Sequence, residues 1–188
     1  MAHKIAFLYG FGEGTWHSKQ FKKRLHSTEF DIIPDITTAD IVIAHSAGSF
    51  YVPKLQGHQL LVLIGPTYWP GKNVIVQMIQ KIAIDIRLNG FRHPLYLLQK
   101  TAWNMFYIVG SLRRSREIIS LGKTFNLPSA IKHHRTIIIR NDADTWLTPD
   151  LEALQQRQPS LRIHHVPGDH DDCWLHPDIY IHLIQSDI

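Results

Sequence analysis

The sequence predicts an α/β fold in which a mostly parallel central sheet is flanked by helices. Short runs that are nearly all apolar or β-branched recur along the chain, at Ile5–Tyr9, Ile41–Ala44, Leu60–Ile64, Thr136–Arg140 and Leu161–Val166. Continuous apolar runs of this kind are typical of strands that are buried on both faces. Helical candidates separate most of these runs, and the alternation indicates parallel strands joined by helical crossovers.

Three helical candidates support this layout. Thr15–His26 is polar and basic, with scattered apolar positions. Pro149–Gln158 starts with proline, which suits the first helical position, and Thr148 is its predicted N-cap. Pro177–Ser186 repeats the proline start near the end of the sequence.

Two segments break the alternation. Six residues, 34–39, separate a candidate strand at Phe30–Ile33 from the next strand, and they are too few for a helical crossover, so one helix is expected to be missing or reduced to a loop. A long insertion, Gly71–His134, has no strand pattern and predicts two to four helices. The candidate helices within the insertion are Asn73–Asn89, Pro94–Leu112 and Ser115–Phe125.

The composition is that of a globular protein and predicts a single domain over residues 1–188, with 44% hydrophobic and 19% charged residues. The single cysteine, Cys173, excludes an internal disulfide and favours a cytoplasmic location. No apolar run approaches the ~20 residues that span a bilayer, and the N-terminus lacks a signal-peptide layout. The pI near 9.2 is compatible with nucleic acid or an anionic membrane without indicating either, and no nucleic-acid partner is expected.

The pentapeptide Ala44-His45-Ser46-Ala47-Gly48 is the most informative motif in the chain. A strand that ends in a small residue and continues as x-Ser-x-Gly predicts a nucleophile elbow, the sharp strand-to-helix turn that lifts a serine hydroxyl above a sheet. Such a turn needs small residues two before and two after the serine, and Ala44 and Gly48 meet that need. Ser46 is therefore the candidate nucleophile, and it needs a base, a group that orients the base, and donors for an oxyanion.

Loops after two later strands supply a candidate acid and a candidate base, and both come after Ser46 in the sequence. Asp144 follows the strand Thr136–Arg140, at the edge of the sheet where α/β sites form, and Asp142 in the same loop is its competitor. His170 follows the last strand in a Pro-Gly turn and comes after both Ser46 and Asp144. A neutral imidazole at this place can take the serine proton and return it to the leaving group.

The loop after the first strand is rich in glycine, with Gly10, Gly12 and Gly14, and it lets backbone N–H groups face a ligand. We expect the N–H groups of Phe11 and Ala47 to form the oxyanion hole. The G-x-G-x-G spacing lacks the last glycine of a dinucleotide fingerprint, so no cofactor is expected. The segment 170–176 has residue types that bind zinc, but its spacing matches no standard motif, so no metal is expected.

The glycine loop at Gly10, the elbow at Ser46 and the loops of Asp144 and His170 together resemble the small members of the α/β-hydrolase fold family, over nearly the whole chain. The resemblance implies that Ser46 is the nucleophile, Asp144 the acid and His170 the base. It also implies that the insertion, about residues 71–134, is a helical lid. The expected architecture is thus a reduced α/β-hydrolase fold with a helical lid insertion.

The sequence departs from the family pattern at three places. It begins at what would be the third strand of the family, so the two leading antiparallel strands are expected to be absent. Tyr9 stands where a histidine often precedes the glycine, and Pro53 is expected to shorten the helix after the elbow. These departures bear on catalytic power more than on the fold.

The predicted function is that of a serine hydrolase that cleaves a small-molecule carboxylic ester or thioester through an acyl-enzyme. His45 before the serine is common in esterase- and lipase-like sequences and favours esters over peptides. The predicted pocket residues are Tyr68, Trp69 and Trp103, which favour a partly apolar acyl group. An acyltransferase on the same fold and a non-catalytic ligand-binding module remain as alternatives, and the oligomeric state stays open.

The insertion is strongly basic. Residues 71–135 contain eleven lysines or arginines but two acids, Asp85 and Glu117. A solvated basic face of an amphipathic helical cap is the favoured interpretation, because charged helix faces are common. The alternative is a lid that meets acidic substrates or a membrane surface, for which we expect at most weak, salt-sensitive binding to anionic lipid.

Overall fold

The computed structural model describes the sheet and most of its connections. The described residues are 2–10, 13, 18–25, 30–55, 57, 59–67, 102, 112–144, 150–170 and 172–188. The strands within them are β1 His3–Leu8, β2 Phe30–Ile32, β3 Ile41–His45, β4 Leu60–Ile64, β5 Arg135–Asn141 and β6 Arg162–Val166. They form one parallel six-stranded sheet in the order β2-β1-β3-β4-β5-β6.

Helices connect these strands and cover both faces of the sheet. The α-helices in the described part of the chain are α1 Lys19–Leu25, α2 Leu112–Thr124, α3 Leu127–Ile131, α4 Leu151–Arg157, α5 Asp172–Leu175 and α6 Pro177–Asp187. A 3₁₀ helix, Ser46–Lys54, follows β3 directly and is called the elbow helix below. The mostly parallel sheet flanked by helices that the sequence predicts is therefore confirmed.

The core lies in two layers, because successive residues of a strand point to opposite faces of the sheet. One layer packs under the elbow helix, α2, α3 and α4, and its strand residues include Ala6, Val42, Leu61 and Ile138. The other packs under α1, α5 and α6, and its strand residues include Ile5, Ile43, Val62 and Ile139. The central strands β3 and β4 are buried at every position, which is why they read as continuous apolar runs.

Most predicted elements are confirmed within one or two residues. The candidate at Phe30–Ile33 is the edge strand β2, and the connection from residue 33 to residue 40 contains no helix, as its short length predicts.

The predicted N-cap of the helix near residue 150 is wrong. Asp150 is the N-cap, because its carboxylate accepts a hydrogen bond from the Ala153 N–H at 2.9 Å.

The last part of the insertion forms α2 and α3. The predicted helix Ser115–Phe125 is confirmed as α2, whose Ile118 is buried against the core beneath the elbow helix. This helix lies between β4 and β5, two parallel neighbours that need a crossover connection. The predicted helices Asn73–Asn89 and Pro94–Leu112 lie outside the described residues, except at Ala102 and Leu112, so the lid stays a prediction.

No helix in the described part of the chain is long and apolar enough to cross a membrane.

Candidate active site

The elbow at Ser46 has the sharp geometry that its sequence predicts. β3 ends at His45, Ser46 has a φ of 53°, and the elbow helix starts at the same residue. A side chain at Gly48 would place its Cβ 2.3 Å from the Leu8 carbonyl oxygen, so β1 and the elbow helix can approach this closely because position 48 is glycine. A Cβ at Gly10 would lie 2.9 Å from the Ser46 Cβ, which puts the glycine loop beside the serine.

The Ser46 side chain is nearly buried and has one side-chain partner among the described residues. Its Oγ lies 3.3 Å from the Thr67 Oγ1, and Thr67 follows β4 at the same edge of the sheet. The Ser49 hydroxyl donates to the Ser46 carbonyl at 2.8 Å, which stabilises the first turn of the elbow helix. Thr67 was not predicted from the sequence, although its place just after a buried strand marks the carboxyl edge of the sheet.

Asp144 and His170 form a buried pair. The His170 Nδ1 lies 2.7 Å from the Asp144 Oδ2, and the two side chains are only 6% and 2% exposed. Asp142, the competing acid, instead lies 3.2 Å from the His165 Nδ1, where both side chains are more than half exposed. The structure therefore brings Asp144, and not Asp142, to the histidine.

Main-chain hydrogen bonds explain this choice of acid. The Asp142 N–H donates to the Val166 carbonyl at 2.9 Å and the Ala143 N–H to the Gly168 carbonyl at 3.0 Å. These bonds extend the β5–β6 pairing into the two loops, so Asp142 stays at the surface and Asp144 turns inward.

Gly65 makes room for the pair at the end of β4. It has a φ of +51°, and a Cβ on it would lie 3.1 Å from the Asp144 Oδ2 and 3.2 Å from the His170 Nδ1. Both conditions favour glycine, since the left-handed backbone and the close contact each disfavour a side chain. The loops after β3, β4, β5 and β6 thus meet at one edge of the sheet, around Ser46, Thr67, Asp144 and His170.

His45 joins the elbow to the loop that carries His170. The ring of His45 is fully buried, its Nε2 lies 2.8 Å from the His170 carbonyl oxygen, and the two rings are 4.7 Å apart. The hydroxyl of Ser46 pairs with Thr67 rather than His170 among the described side chains. Catalytic hydrogen bonds are often long in unliganded enzymes and shorten when substrate binds.

Glu13 lies on the other side of the His45 ring. Its Oε1 pairs with the His45 Nδ1, and its Oε2 accepts the Gly10 N–H at 2.6 Å. Burial lowers the pKa of His45, but electrostatic attraction and hydrogen bonding to Cys173 and Glu13 outweigh it, so the pKa is well above its usual value. Glu13 was not predicted, because the sequence does not show that a glycine-loop acid reaches a residue of the elbow.

The remaining predicted site residues divide into two groups. Ala47 is buried at the start of the elbow helix, and its nitrogen would lie 3.3 Å from a Cβ on Gly10. Phe11, Tyr68, Trp69 and Trp103 lie outside the described residues. Among the side chains that the structure describes, no group of three or more His, Cys, Asp or Glu could hold a metal ion.

Neither the protein-family models nor the curated protein sequences contain a match to this chain. Solved structures do match it. A carboxylesterase from the thaumarchaeon Nitrososphaera gargenis superposes with a TM-score of 0.65 at 10% identity, over 99% of this chain and 89% of the other. An N-formylmaleamic acid deformylase from Pseudomonas putida S16 gives a TM-score of 0.64 at 10% identity, over 98% and 92% of the two chains.

An enol-lactonase from Burkholderia xenovorans LB400 gives a TM-score of 0.62 at 12% identity, over 99% of this chain and 91% of the other. Sequence identity this low carries information on the fold alone. The chain has the α/β-hydrolase fold, as the three motifs of its sequence predict, and its matches span nearly the whole chain.

Proposed function

We propose that this protein is a serine hydrolase that cleaves a small-molecule carboxylic ester or thioester. The observation that carries the proposal is the buried hydrogen bond between His170 and Asp144 at the same edge of the sheet as Ser46. An acid bonded to Nδ1 orients the imidazole and leaves Nε2 for a proton from a serine. Ser46 itself has the backbone of a nucleophile elbow.

The proposed reaction proceeds in two steps. In the first, the neutral His170 accepts the Ser46 proton while Oγ attacks the substrate carbonyl, and Asp144 stabilises the imidazolium that forms. The N–H groups of Ala47 and Phe11 are the proposed donors to the oxyanion. His170 then protonates the leaving alcohol or thiol, and in the second step a water activated by His170 hydrolyses the acyl-enzyme.

Three named neighbours are consistent with this reaction class. The carboxylesterase, the enol-lactonase and the deformylase are each named for action on an ester, a lactone or a formyl compound. Their likeness extends over the whole sheet that holds the site of this chain. We therefore propose that this protein attacks the carbonyl group of an ester or thioester.

The end of the insertion, α2 and α3, packs into the core as part of the crossover from β4 to β5. We further propose that the preceding part of the insertion, residues 71–111, forms a lid over the site and supplies Trp103 to the pocket. Support comes from where the chain leaves the sheet, because Thr67 at the end of β4 touches Ser46 and the insertion begins a few residues later. Tyr68 and Trp69 lie between these two points in the sequence. Hydrolysis rates for esters of increasing acyl length measure how apolar this pocket is.

Intact mass after incubation with a fluorophosphonate tests the proposed function. We expect one adduct on the wild type at pH from about 6 to 9 and none on Ser46→Ala or on heat-denatured wild type, because the probe needs an activated serine. Product analysis with and without added alcohols or amines then separates hydrolysis from acyl transfer. An unlabelled wild type that still binds ligands would favour the non-catalytic binding module instead.

A further inference from the structure

The interior of the molecule contains a second acid–histidine pair beside the proposed triad. Glu13 and His45 are 7% and 0% exposed in their side chains and bond to each other through Oε1 and Nδ1. The proposed reaction does not use either side chain. Burying an acid–histidine pair away from water costs free energy unless good hydrogen bonds compensate. The hydrogen bonds of this pair therefore point to a role in the fold or in the site.

We propose that Glu13 and His45 are positioning residues that hold the glycine loop and the His170 loop in register with Ser46. This inference rests on the proposed function, since it assigns these residues a task in the same reaction. It predicts that the pair acts on the rate of acylation of Ser46 and not on the binding of substrate.

The contacts of the pair reach the glycine loop, the elbow and the loop of His170. Glu13 accepts the main-chain N–H of Gly10, the residue before the proposed oxyanion donor Phe11. His45 bonds the main-chain carbonyl of His170 and is itself the residue before Ser46. The nucleophile, the base and the oxyanion loop are thus linked through two side chains.

The oxygens around the His45 ring favour its protonated form. A carbonyl oxygen can only accept, so Nε2 must carry the proton that bonds the His170 carbonyl. Nδ1 faces a carboxylate oxygen of Glu13, whose two oxygens also accept from the Gly10 N–H and, at 3.4 Å, the Trp174 Nε1–H. A protonated His45 can donate to both of these oxygens, and this agrees with the rise of its pKa above the usual value.

The groups packed around the ring agree with this state. Glu13 faces it from the glycine loop, Cys173 and Trp174 from α5, and His170 from the loop after β6. Attraction to Cys173 and Glu13 raises the pKa of His45 against the opposing effect of burial. The raised pKa favours the protonated form of His45, in which both ring nitrogens donate, Nδ1 to Glu13 and Nε2 to the His170 carbonyl.

Substitutions at Glu13 separate the hydrogen bonds of the pair from its charge. In Glu13→Gln, the amide oxygen can accept the Gly10 N–H while the NH₂ group donates to Nδ1 of a neutral His45, and Nε2–H still bonds the His170 carbonyl. Glu13→Ala removes the bonds that Glu13 makes to the Gly10 N–H and to the His45 Nδ1. The matched control is Asp187→Asn, which removes the charge of another acid–histidine pair, with His164, away from the site; the two side chains are 7% and 27% exposed.

Stopped-flow acylation by an activated ester measures the effect on the reaction. We expect Glu13→Ala to lower the acylation rate constant by about 10²-fold with little change in the dissociation constant of the ester, the cost of misplacing reacting groups by about 1 Å. Glu13→Gln should keep an acylation rate constant within a few-fold of wild type, and Asp187→Asn should leave it unchanged. A folded Glu13→Ala with wild-type acylation overturns the inference.

The pH profile provides a readout that a purely structural role would not move. The wild-type rate should fall in alkaline solution as His45 loses its proton, whereas Glu13→Gln should move this alkaline limb to lower pH because it removes a charge that raises the pKa of His45. An alkaline limb that persists unchanged in Glu13→Gln overturns the inference. Glu13→Gln also provides the test if Glu13→Ala does not fold.

Nitrogen-15 NMR of the histidine rings distinguishes failure of this inference from failure of the proposed function. At neutral pH, both ring nitrogens of His45 should be protonated in the wild type and only Nε2 in Glu13→Gln. If the fluorophosphonate does not label the wild type but the His45 signals follow this pattern, the hydrolase proposal is wrong and the ion pair stands. A His45 that is neutral in the wild type contradicts the inference whatever the activity.

Discussion

Ser46 has a positive φ of 53°, in a region of backbone space that non-glycine residues rarely adopt. Two contacts keep Ser46 in this conformation. Gly48 lets β1 pack closely against the elbow helix, and the Ser49 hydroxyl donates a hydrogen bond to the Ser46 carbonyl. Backbone strain of this kind costs about 1–3 kcal/mol and persists where the surrounding structure enforces it. At the scale of single residues, the site depends on glycines as much as on reactive groups.

Gly48→Ala should destabilise the protein by about 1–3 kcal/mol, the usual cost of adding atoms to a packed core. Its Cβ would collide with backbone atoms of Leu8, which cannot move away as a flexible side chain can. Urea unfolding followed by circular dichroism measures the loss. Gly57→Ala should cost less, because Gly57 is exposed and a Cβ there would lie 3.3 Å from the His133 carbonyl oxygen, which is a tight contact but not a collision.

Asp144→Asn should lower kcat by about 10⁴-fold, because an amide can hold the imidazole in the wrong tautomer and cannot stabilise an imidazolium. Asp142→Asn should leave kcat near wild type, since Asp142 pairs with the exposed His165. Steady-state hydrolysis of one activated ester by the two variants provides the comparison. Equal losses in both variants would show that the acid has been assigned wrongly.

At the scale of elements, the crossover from β4 to β5 supports the elbow. The helix α2 packs Ile118 into the layer that also contains Phe50 and Val52 of the elbow helix. The elbow helix is a 3₁₀ helix with Pro53 inside it, and such helices have weaker hydrogen-bond geometry than α-helices. We infer that packing against α2, more than its own hydrogen bonds, stabilises the elbow helix.

Ile118→Ala should lower the free energy of unfolding by about 2–5 kcal/mol, the range for deleting a buried isoleucine side chain. Ser120→Ala on the exposed face of the same helix should change it by no more than about 0.5 kcal/mol. Chemical denaturation of the two variants in parallel gives both values. A small effect of Ile118→Ala would mean that α2 contributes little to the core.

At the scale of the whole molecule, ion pairs and hydrogen bonds connect the end of α6 to the strands β5 and β6, away from the site. The carboxylate of Asp187, at the end of α6, lies 2.7 Å from the His164 Nε2 and accepts a hydrogen bond from the Arg162 guanidinium. The main-chain carbonyl oxygen of Asp187 accepts a hydrogen bond from Arg135. Burial raises the pKa of Asp187, but hydrogen bonds from His164 and Arg162 outweigh it and lower the pKa below its usual value. The ionised carboxylate is therefore favoured in the folded protein.

Because the folded pKa of Asp187 is depressed, its contribution to stability is complete above its ordinary pKa near 3.8 and is lost as the pH falls through the folded value. Asp187→Asn should therefore be less stable than wild type at pH 6, and the difference should shrink as the pH falls below 4. Thermal unfolding at a series of pH values measures the difference. A difference that stays constant down to pH 2 would contradict this assignment.

The elbow, the order of Ser46, Asp144 and His170, and the alternation of strands and helices were predictable from the sequence. They depend on local signals, since small residues flank a tight turn and continuous apolar runs mark buried parallel strands. The N-cap of α4 was predicted two residues too early, because Thr148 and Asp150 are both good caps and local sequence does not rank them. The sequence thus predicts where a helix or strand lies better than it predicts the residues at which the element begins and ends.

The tertiary structure decided which side chains meet. It selected Asp144 over Asp142, brought Thr67 to Ser46, and joined Glu13 to His45 across 32 positions of sequence. These contacts arise between loops at the ends of different strands, and their geometry depends on strand order and on main-chain bonds that no local pattern encodes. The sequence by itself determined the fold and the reactive residue types, whereas long-range packing determined which of these residues meet.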